Sequence, residues 1–271
     1  MIIGKKEFDT HKHTYIMGIL NVTPDSFSDG GKFSELEAAL FHAEEMVNDG
    51  ADILDVGGES TRPGHTKITD EEEISRIAPV IEKLKQEFDI PVSIDTYKSS
   101  VAEAALKAGA DLVNDIWGLK YDSRIAGLIA EYHVSCCLMH NRSEAHYQDF
   151  LPDFMDDMRE CVRIARDAGI ADEKIILDPG VGFGKTYEMN LEIIREVGRL
   201  KELGYPVLLG TSRKSVIGLT LDLPVTEREE GTLATTVYGM MNGCSFVRVH
   251  DVKANRRAID MMEAILRDHT L

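Results

Sequence analysis

The sequence predicts a single α/β barrel of eight strand–helix repeats, with a short lead-in at its start. Three observations carry that expectation. Short apolar runs recur along the whole chain, at residues 15–22, 53–57, 92–95, 112–115, 135–140, 175–178, 207–212 and 246–251. They are rich in Val, Ile and Leu without polar alternation, the mark of parallel strands covered on both faces. A segment with helical periodicity follows each run, and about eight such repeats in about 250 residues match a closed (β/α)8 barrel. A doubly wound open sheet is the alternative, but it usually uses fewer strands.

Between the runs the period changes to 3.6. Ile74, Ile77, Ala78, Ile81, Leu84 and Phe88 share one helical face, as do Phe154, Met158, Cys161, Val162 and Ala165. Gly50, Gly109 and Gly169 mark helix C-termini. Pro91 and Pro206 open strands, where a missing N–H is tolerated. Asp70-Glu71-Glu72-Glu73 reads as a helix start stabilised by the macrodipole. No Pro/Ser linker and no charge run divides the chain, so one domain is expected over residues 1–271. Residues 1–14 form the lead-in, expected as a hairpin across the barrel bottom, and 15–271 form the barrel.

The 271 residues carry a formal net charge of −17, which argues against a general nucleic-acid or anionic-membrane binder. The four cysteines form no C-x-x-C and suggest thiols packed as small hydrophobes in a reducing, cytoplasmic setting. The start, with Lys5, Lys6, Glu7 and Asp9, does not read as a signal peptide. The longest uncharged run, residues 231–247, is too short and polar for a membrane span.

Polar residues end every apolar run. They are Asn21, then Glu59-Ser60-Thr61-Arg62, Asp95, Asn114-Asp115, His140, Asp178, Thr211-Ser212-Arg213-Lys214, and Arg248 with His250. A barrel brings its strand tips to one mouth, where catalytic groups converge. Any one of these residues is an ordinary strand terminator, but the set is not. In a strand, residues i and i+2 share a face, so Arg248 and His250 are expected to point into the mouth together, suited to an anionic phosphate. An ion pair between Arg248 and a core Asp is the competing reading.

Asp95, Asn114, Asp178 and Lys214 suit a flat heterocycle with an amidine-like edge, because carboxylates accept paired N–H bonds and Lys donates to a ring carbonyl. A solvated Lys214, or a Schiff-base lysine of an aldolase, are other readings of that residue. Residues 178–186 tempt a phosphate-loop assignment, but Pro179 stands where the first glycine belongs. A tight glycine loop carrying Phe183 is the better account. The loops after the first two strands, around residues 21–31 and 57–64, have the composition of lids over a substrate. His11 and His13 are expected to be a solvated pair rather than a metal site.

These segments together resemble the dihydropteroate synthase family, pterin-binding barrels of the folate pathway blocked by sulfonamides. The resemblance runs through residues 18–31, 58–64, 93–96, 113–115, 178–186, 210–215 and 248–251, in order. It implies condensation of 6-hydroxymethyl-7,8-dihydropterin pyrophosphate with p-aminobenzoate, giving 7,8-dihydropteroate and pyrophosphate by a dissociative substitution. It also implies that Asp95, Asn114, Asp178 and Lys214 hold the pterin, with Met139 and Phe183 near its ring. Asn21, Arg248 and His250 take the pyrophosphate, with Mg²⁺ at Asn21. Phe27, Thr61, Arg62, Pro63 and Ser212 surround p-aminobenzoate, and Asp29 orders the first loop. Asn21, Lys214, Arg248 and His250 are the expected catalytic set, and a homodimer is implied.

One departure stands out. After the fifth strand the family pattern is Met-His-Met-x-Gly-x-Pro, whereas this chain has Met139-His140-Asn141-Arg142-Ser143-Glu144. The rival functions are a corrinoid-linked pterin methyltransferase, which needs no pyrophosphate-gripping Arg-x-His, and a non-catalytic partner subunit, which would be expected to lose Asn21, Lys214 or Arg248.

Overall fold

A computed structural model describes residues 1–23, 32–59 and 67–266. Its frame is eight parallel strands: β3 (Tyr15–Asn21), β4 (Ile53–Gly57), β5 (Val92–Asp95), β6 (Leu112–Asp115), β7 (Ser135–Met139), β8 (Ile175–Asp178), β9 (Leu208–Leu209) and β10 (Phe246–Val249). They pair in the order β8-β7-β6-β5-β4-β3-β10-β9, and a parallel bridge from Leu177 to Val207 joins the two ends. The barrel expected from the repeats is therefore what forms.

Four strands match the expected runs residue for residue, and the other four are shorter. Their polar tails leave the ladder, as at Thr211, whose carbonyl accepts from the Lys214 N–H in a turn that starts the next helix. Around the strands lie α1 (Lys32–Asn48), α2 (Asp70–Glu87), α3 (Ser99–Lys107), α4 (Arg124–Tyr132), α5 (Phe150–Asp167), α6 (Tyr187–Arg195), α7 (Ser215–Leu221), α8 (Glu229–Met241) and α9 (Val252–Leu266). Thr69 caps α2 by accepting from the Glu72 N–H. None of the helices among the described residues is long and apolar enough to cross a membrane.

Period two sorts the strands into an outer and an inner set. Leu54, Val56, Ile94, Val113, Cys136, Leu138, Leu177 and Val247 join the helices in the main core. The residues between them face the barrel axis. Its lowest layer is Met17, Ile53, Leu112, Cys137, Ile176, Leu208 and Phe246, closed from below by Ile3 and Phe8. Both faces are buried, which is why the strands read as continuous apolar runs.

The lead-in is the expected hairpin, β1 (Ile2–Ile3) antiparallel to β2 (Lys6–Glu7). Phe8 follows it as the plug, 4.8 Å from the Tyr15 ring and 5.7 Å from that of Phe246. Phe8→Ala is expected to open a cavity there and cost about 3–5 kcal/mol, measurable by urea denaturation.

Candidate active site

Moving up two residues from the apolar plug exchanges Ile53 for Asp55, Leu112 for Asn114, Cys137 for Met139, Ile176 for Asp178, Leu208 for Gly210 and Phe246 for Arg248. Strand geometry alone thus stacks a polar layer on the plug. Arg248 bridges it, its Nε donating to Asp55 Oδ2 at 2.6 Å and its Nη2 to Asp95 Oδ2 at 2.6 Å. Asn114 Nδ2 also donates to Asp55, at 3.1 Å. The ion pair considered as the competing reading of Arg248 is therefore present. Burial disfavours the Arg248 cation, but the facing carboxylates hold its pKa above the usual guanidinium value. Burial raises the Asp95 pKa, against the pull of Arg248. Asp55 Oδ1 and Asp95 Oδ1 are buried with no hydrogen-bond partner among the described residues.

Asp55 is a site residue the sequence reading missed. Its signal was visible: a lone carboxylate in an otherwise apolar strand, Ile53-Leu54-Asp55-Val56-Gly57.

Across the mouth, Lys214 Nζ donates to the Val181 carbonyl at 2.5 Å and lies 4.9 Å from the Phe183 ring centroid. Asp178 Oδ1 accepts from the Gly180 N–H at 2.7 Å. A Cβ on Gly210 would come within 3.5 Å of Asp178 Oδ2, 3.9 Å of Lys214 Nζ and 3.8 Å of Arg248 Cβ, so glycine keeps the space between these charges open. Burial raises the Asp178 pKa against the nearby Lys214. Burial also lowers the Lys214 pKa to about 8, although Asp178 and Asp95 favour its charge. Tyr97, Ile116 and Met139 form an apolar wall on which Trp117 and Phe183 pack.

Asn21 ends β3 beside Gly57. A Cβ at Gly57 would lie 3.5 Å from Asn21 Oδ1 and 3.9 Å from Asp95 Oδ2, so the glycine leaves a gap with two oxygens on its border. His250 Nδ1 is 2.9 Å from Ser212 Oγ, which also accepts from the His250 backbone N–H at 3.1 Å. That pairing brings together two residues expected to serve different substrates.

Other expected mouth groups lie elsewhere. His140 is fully buried, 2.9 Å from Asp157 and 4.6 Å from the Phe154 ring of α5, so it faces the helices while Met139 faces the wall. Arg142, in the departing segment, binds Asp157 at 2.6 Å and stacks on Tyr147. Residues 178–186 make a close-packed loop. A Cβ on Gly180 would sit 1.9 Å from the His140 carbonyl oxygen, and only glycine fits its positive φ of 64° there. His11 and His13 are exposed, with His13 3.1 Å from Glu263. Phe27, Asp29, Thr61, Arg62 and Pro63 lie outside the described residues.

A second charged cluster was also missed. Lys98 bonds Glu59 at 2.7 Å and the buried Glu73 at 2.8 Å, so the acidic start of α2 is only partly a solvated helix end. Burial opposes ionisation of Glu59, but Lys98, Tyr97 and the Ile68 N–H hold its pKa at about 2.

The family model described as pterin binding enzyme matches residues 17–250. A relative from Clostridium beijerinckii named dihydropteroate synthase is 61% identical, over 98% of this chain and all of its own. The crystal structure of a Clostridium difficile dihydropteroate synthase in the presence of pteroic acid superposes with a TM-score of 0.94 at 55% identity, covering 97% of this chain and all of that one. A Yersinia pestis dihydropteroate synthase in complex with a sulfonamide drug superposes with a TM-score of 0.91 at 38% identity, covering 98% of each chain.

Proposed function

The chain belongs to the pterin-binding enzyme family, among the dihydropteroate synthases, and from that premise we propose that it joins 6-hydroxymethyl-7,8-dihydropterin pyrophosphate to p-aminobenzoate, releasing 7,8-dihydropteroate and pyrophosphate. One observation carries the residue assignment. Asp178, Lys214 and the root of the Arg248 side chain meet around Gly210, Arg248 reaches on to Asp95, and Phe183, packed on the wall that contains Met139, lies against Lys214.

Each part has a physical task. Asp178 accepts from the N–H donors of the pterin's amidine-like edge, Asn114 offers that edge both a donor and an acceptor, Lys214 donates to the ring carbonyl, and Met139 and Phe183 contact the ring. Asp95, on the neighbouring strand, completes the pterin set. Arg248 and His250 grip the pyrophosphate. When the C–O bond breaks, its electron pair leaves with the pyrophosphate oxygen, and Arg248 stabilises the growing negative charge. The electron-rich dihydropterin carries the resulting methylene cation, favoured by the Asp95 and Asp178 carboxylates. The arylamine is already neutral near pH 7, so it forms the new C–N bond without a strong general base, and its extra proton passes to water. Ser212, with Phe27, Thr61, Arg62 and Pro63, forms the p-aminobenzoate side, and Asp29 orders the first loop.

On this reading Mg²⁺ binds beside Asn21, at the gap left by Gly57. Asn21 Oδ1 borders it, Asp95 Oδ2 is near, and hard oxygen donors with substrate phosphates are what this ion takes. Bound there, it would neutralise charge on the leaving pyrophosphate. A cytoplasmic homodimer completes the reading. Support for self-association comes from the exposed Leu219, Leu221, Tyr238 and Met241 on α7 and α8.

The test follows pyrophosphate and dihydropteroate formation by purified protein across a Mg²⁺ titration. Both products should appear in equal amounts, and Asn21→Ala should raise the Mg²⁺ requirement by at least about tenfold. An unchanged Mg²⁺ response in the variant would remove Asn21 as ligand, and absence of turnover in the wild type would overturn the synthase reading.

A further inference from the structure

Lys185 follows the glycine loop, and no part of the reaction described above uses it. Its Nζ lies 2.8 Å from His140 Nδ1, 2.9 Å from the Gly180 carbonyl oxygen and 2.9 Å from the Phe183 carbonyl oxygen. Those two carbonyls begin and end one turn, in which the Phe183 N–H also donates to Gly180 at 3.1 Å. Between them, the Val181 carbonyl receives Lys214. The Phe183 ring lies beneath the same ammonium.

The third partner is held in a fixed state. Asp157 Oδ2 accepts from Arg142 Nε at 2.6 Å and faces His140 Nε2 at 2.9 Å. A carboxylate can only accept, so the His140 proton sits on Nε2 and Nδ1 is left as an acceptor. Burial lowers the His140 pKa to about 4, so the ring is neutral near pH 7 and keeps this tautomer. Three acceptors therefore converge on Lys185, and an ammonium has three protons to give, which favours the charged form against a burial that pushes the Lys185 pKa well below its ordinary value.

We propose that Lys185 is a positioning residue for the pterin: aimed by Asp157 and His140, its ammonium holds the turn at residues 180–183 that sets the Phe183 ring and the Val181 carbonyl against Lys214. It acts through these groups and does not touch the substrate. Other anchors hold different points of the loop. The Gly182 N–H donates to Asn190 Oδ1 at 2.6 Å, and the Tyr147 hydroxyl donates to the Gly184 carbonyl at 2.7 Å. Loss of Lys185 should thus shift the turn without unravelling the loop.

The proposal rests on the assignment of the pterin to this wall, and the test separates the two. Wild-type turnover establishes the synthase reading first, since an inactive wild type would fail that reading and not this one. Lys185→Met should then raise KM for the dihydropterin pyrophosphate by about tenfold or more, with KM for p-aminobenzoate changed by less than about twofold. The His140 Nδ1 nitrogen resonance should move as its donor disappears. Lys185→Arg, which keeps the charge but presents a flat fork to three converging acceptors, should recover only part of the pterin affinity. An unchanged pterin KM, or an equal rise in both KM values, would overturn the proposal. If Lys185→Met does not fold, Asp157→Asn serves in its place. It should raise the pterin KM by about threefold through loss of the fixed His140 tautomer, and an unchanged value in that folded variant would equally overturn the proposal.

Discussion

Arg248→Met should cut turnover severely and destabilise the barrel by about 3–5 kcal/mol, because removing one partner of a buried ion pair leaves the others uncompensated. The guanidinium stands between Asp55, which is fully buried, and Asp95, with 2.6 Å contacts to each. Without it, among the described residues only Asn114 donates to either of the two carboxylates in this low-dielectric interior. The catalytic loss should be at least about 10²-fold, as for removal of a charge-stabilising donor.

The stability loss should also depend on pH. Burial already raises the Asp95 pKa above 3.8, and loss of the cation raises it further. In the window between the unfolded value and that raised value, the folded variant binds more protons than the unfolded chain. Its stability therefore falls as pH rises. Urea denaturation at pH 5 and pH 8 should show a smaller deficit at pH 5. Equal stability of variant and wild type would mean that Arg248 does not balance these carboxylates.

The second large effect belongs to Lys214. Its pKa of about 8 lies below the ordinary lysine value of 10.5, chiefly through burial. Turnover should fall as pH rises through about 8, because the neutral amine no longer offers a charged donor to the pterin carbonyl. Lys214→Arg should lose that alkaline limb while keeping residual activity, since a guanidinium stays protonated. Lys214→Ala should lose about 10²–10³-fold in kcat/KM for the pterin substrate.

Stability runs the other way. Between about pH 8 and 10.5 the folded chain binds fewer protons at this site than the unfolded chain. The Lys214 contribution therefore becomes more favourable with rising pH, by up to about 3 kcal/mol. Denaturation curves of wild type and Lys214→Met at pH 7.5 and 9.5 should differ by this pH-dependent part. A wild type that is no more stabilised than the variant at high pH would show that Lys214 is not held below its ordinary pKa.

Much of this site was legible before any coordinates. The eight runs located the strands because both sheet faces are buried, and polar residues at their ends located the mouth. Asp178 and Arg248 follow Ile176 and Phe246 by two residues on the inward face of their strands, so strand period alone aligned them. The short β9 and the outward turn of His140 were harder to see. The first depends on where Thr211 leaves the ladder to begin α7. The second depends on one residue of register past Met139, which hands the ring to Asp157 and Lys185.

By itself, then, the sequence determined the barrel, the lead-in hairpin, the strand ends that form the mouth and the family resemblance, because those depend on periodicity and on local motifs. Tertiary structure decided which charges meet. Arg248 pairs with Asp55 and Asp95, residues 193 and 153 positions away in the chain, and Lys98 joins Glu59 to Glu73. Such partners are set by strand order and by which residues share a layer of the barrel. Burial then sets the price of leaving any of them unpaired, and that cost moves the pKa values of Asp95, Asp178 and Lys214.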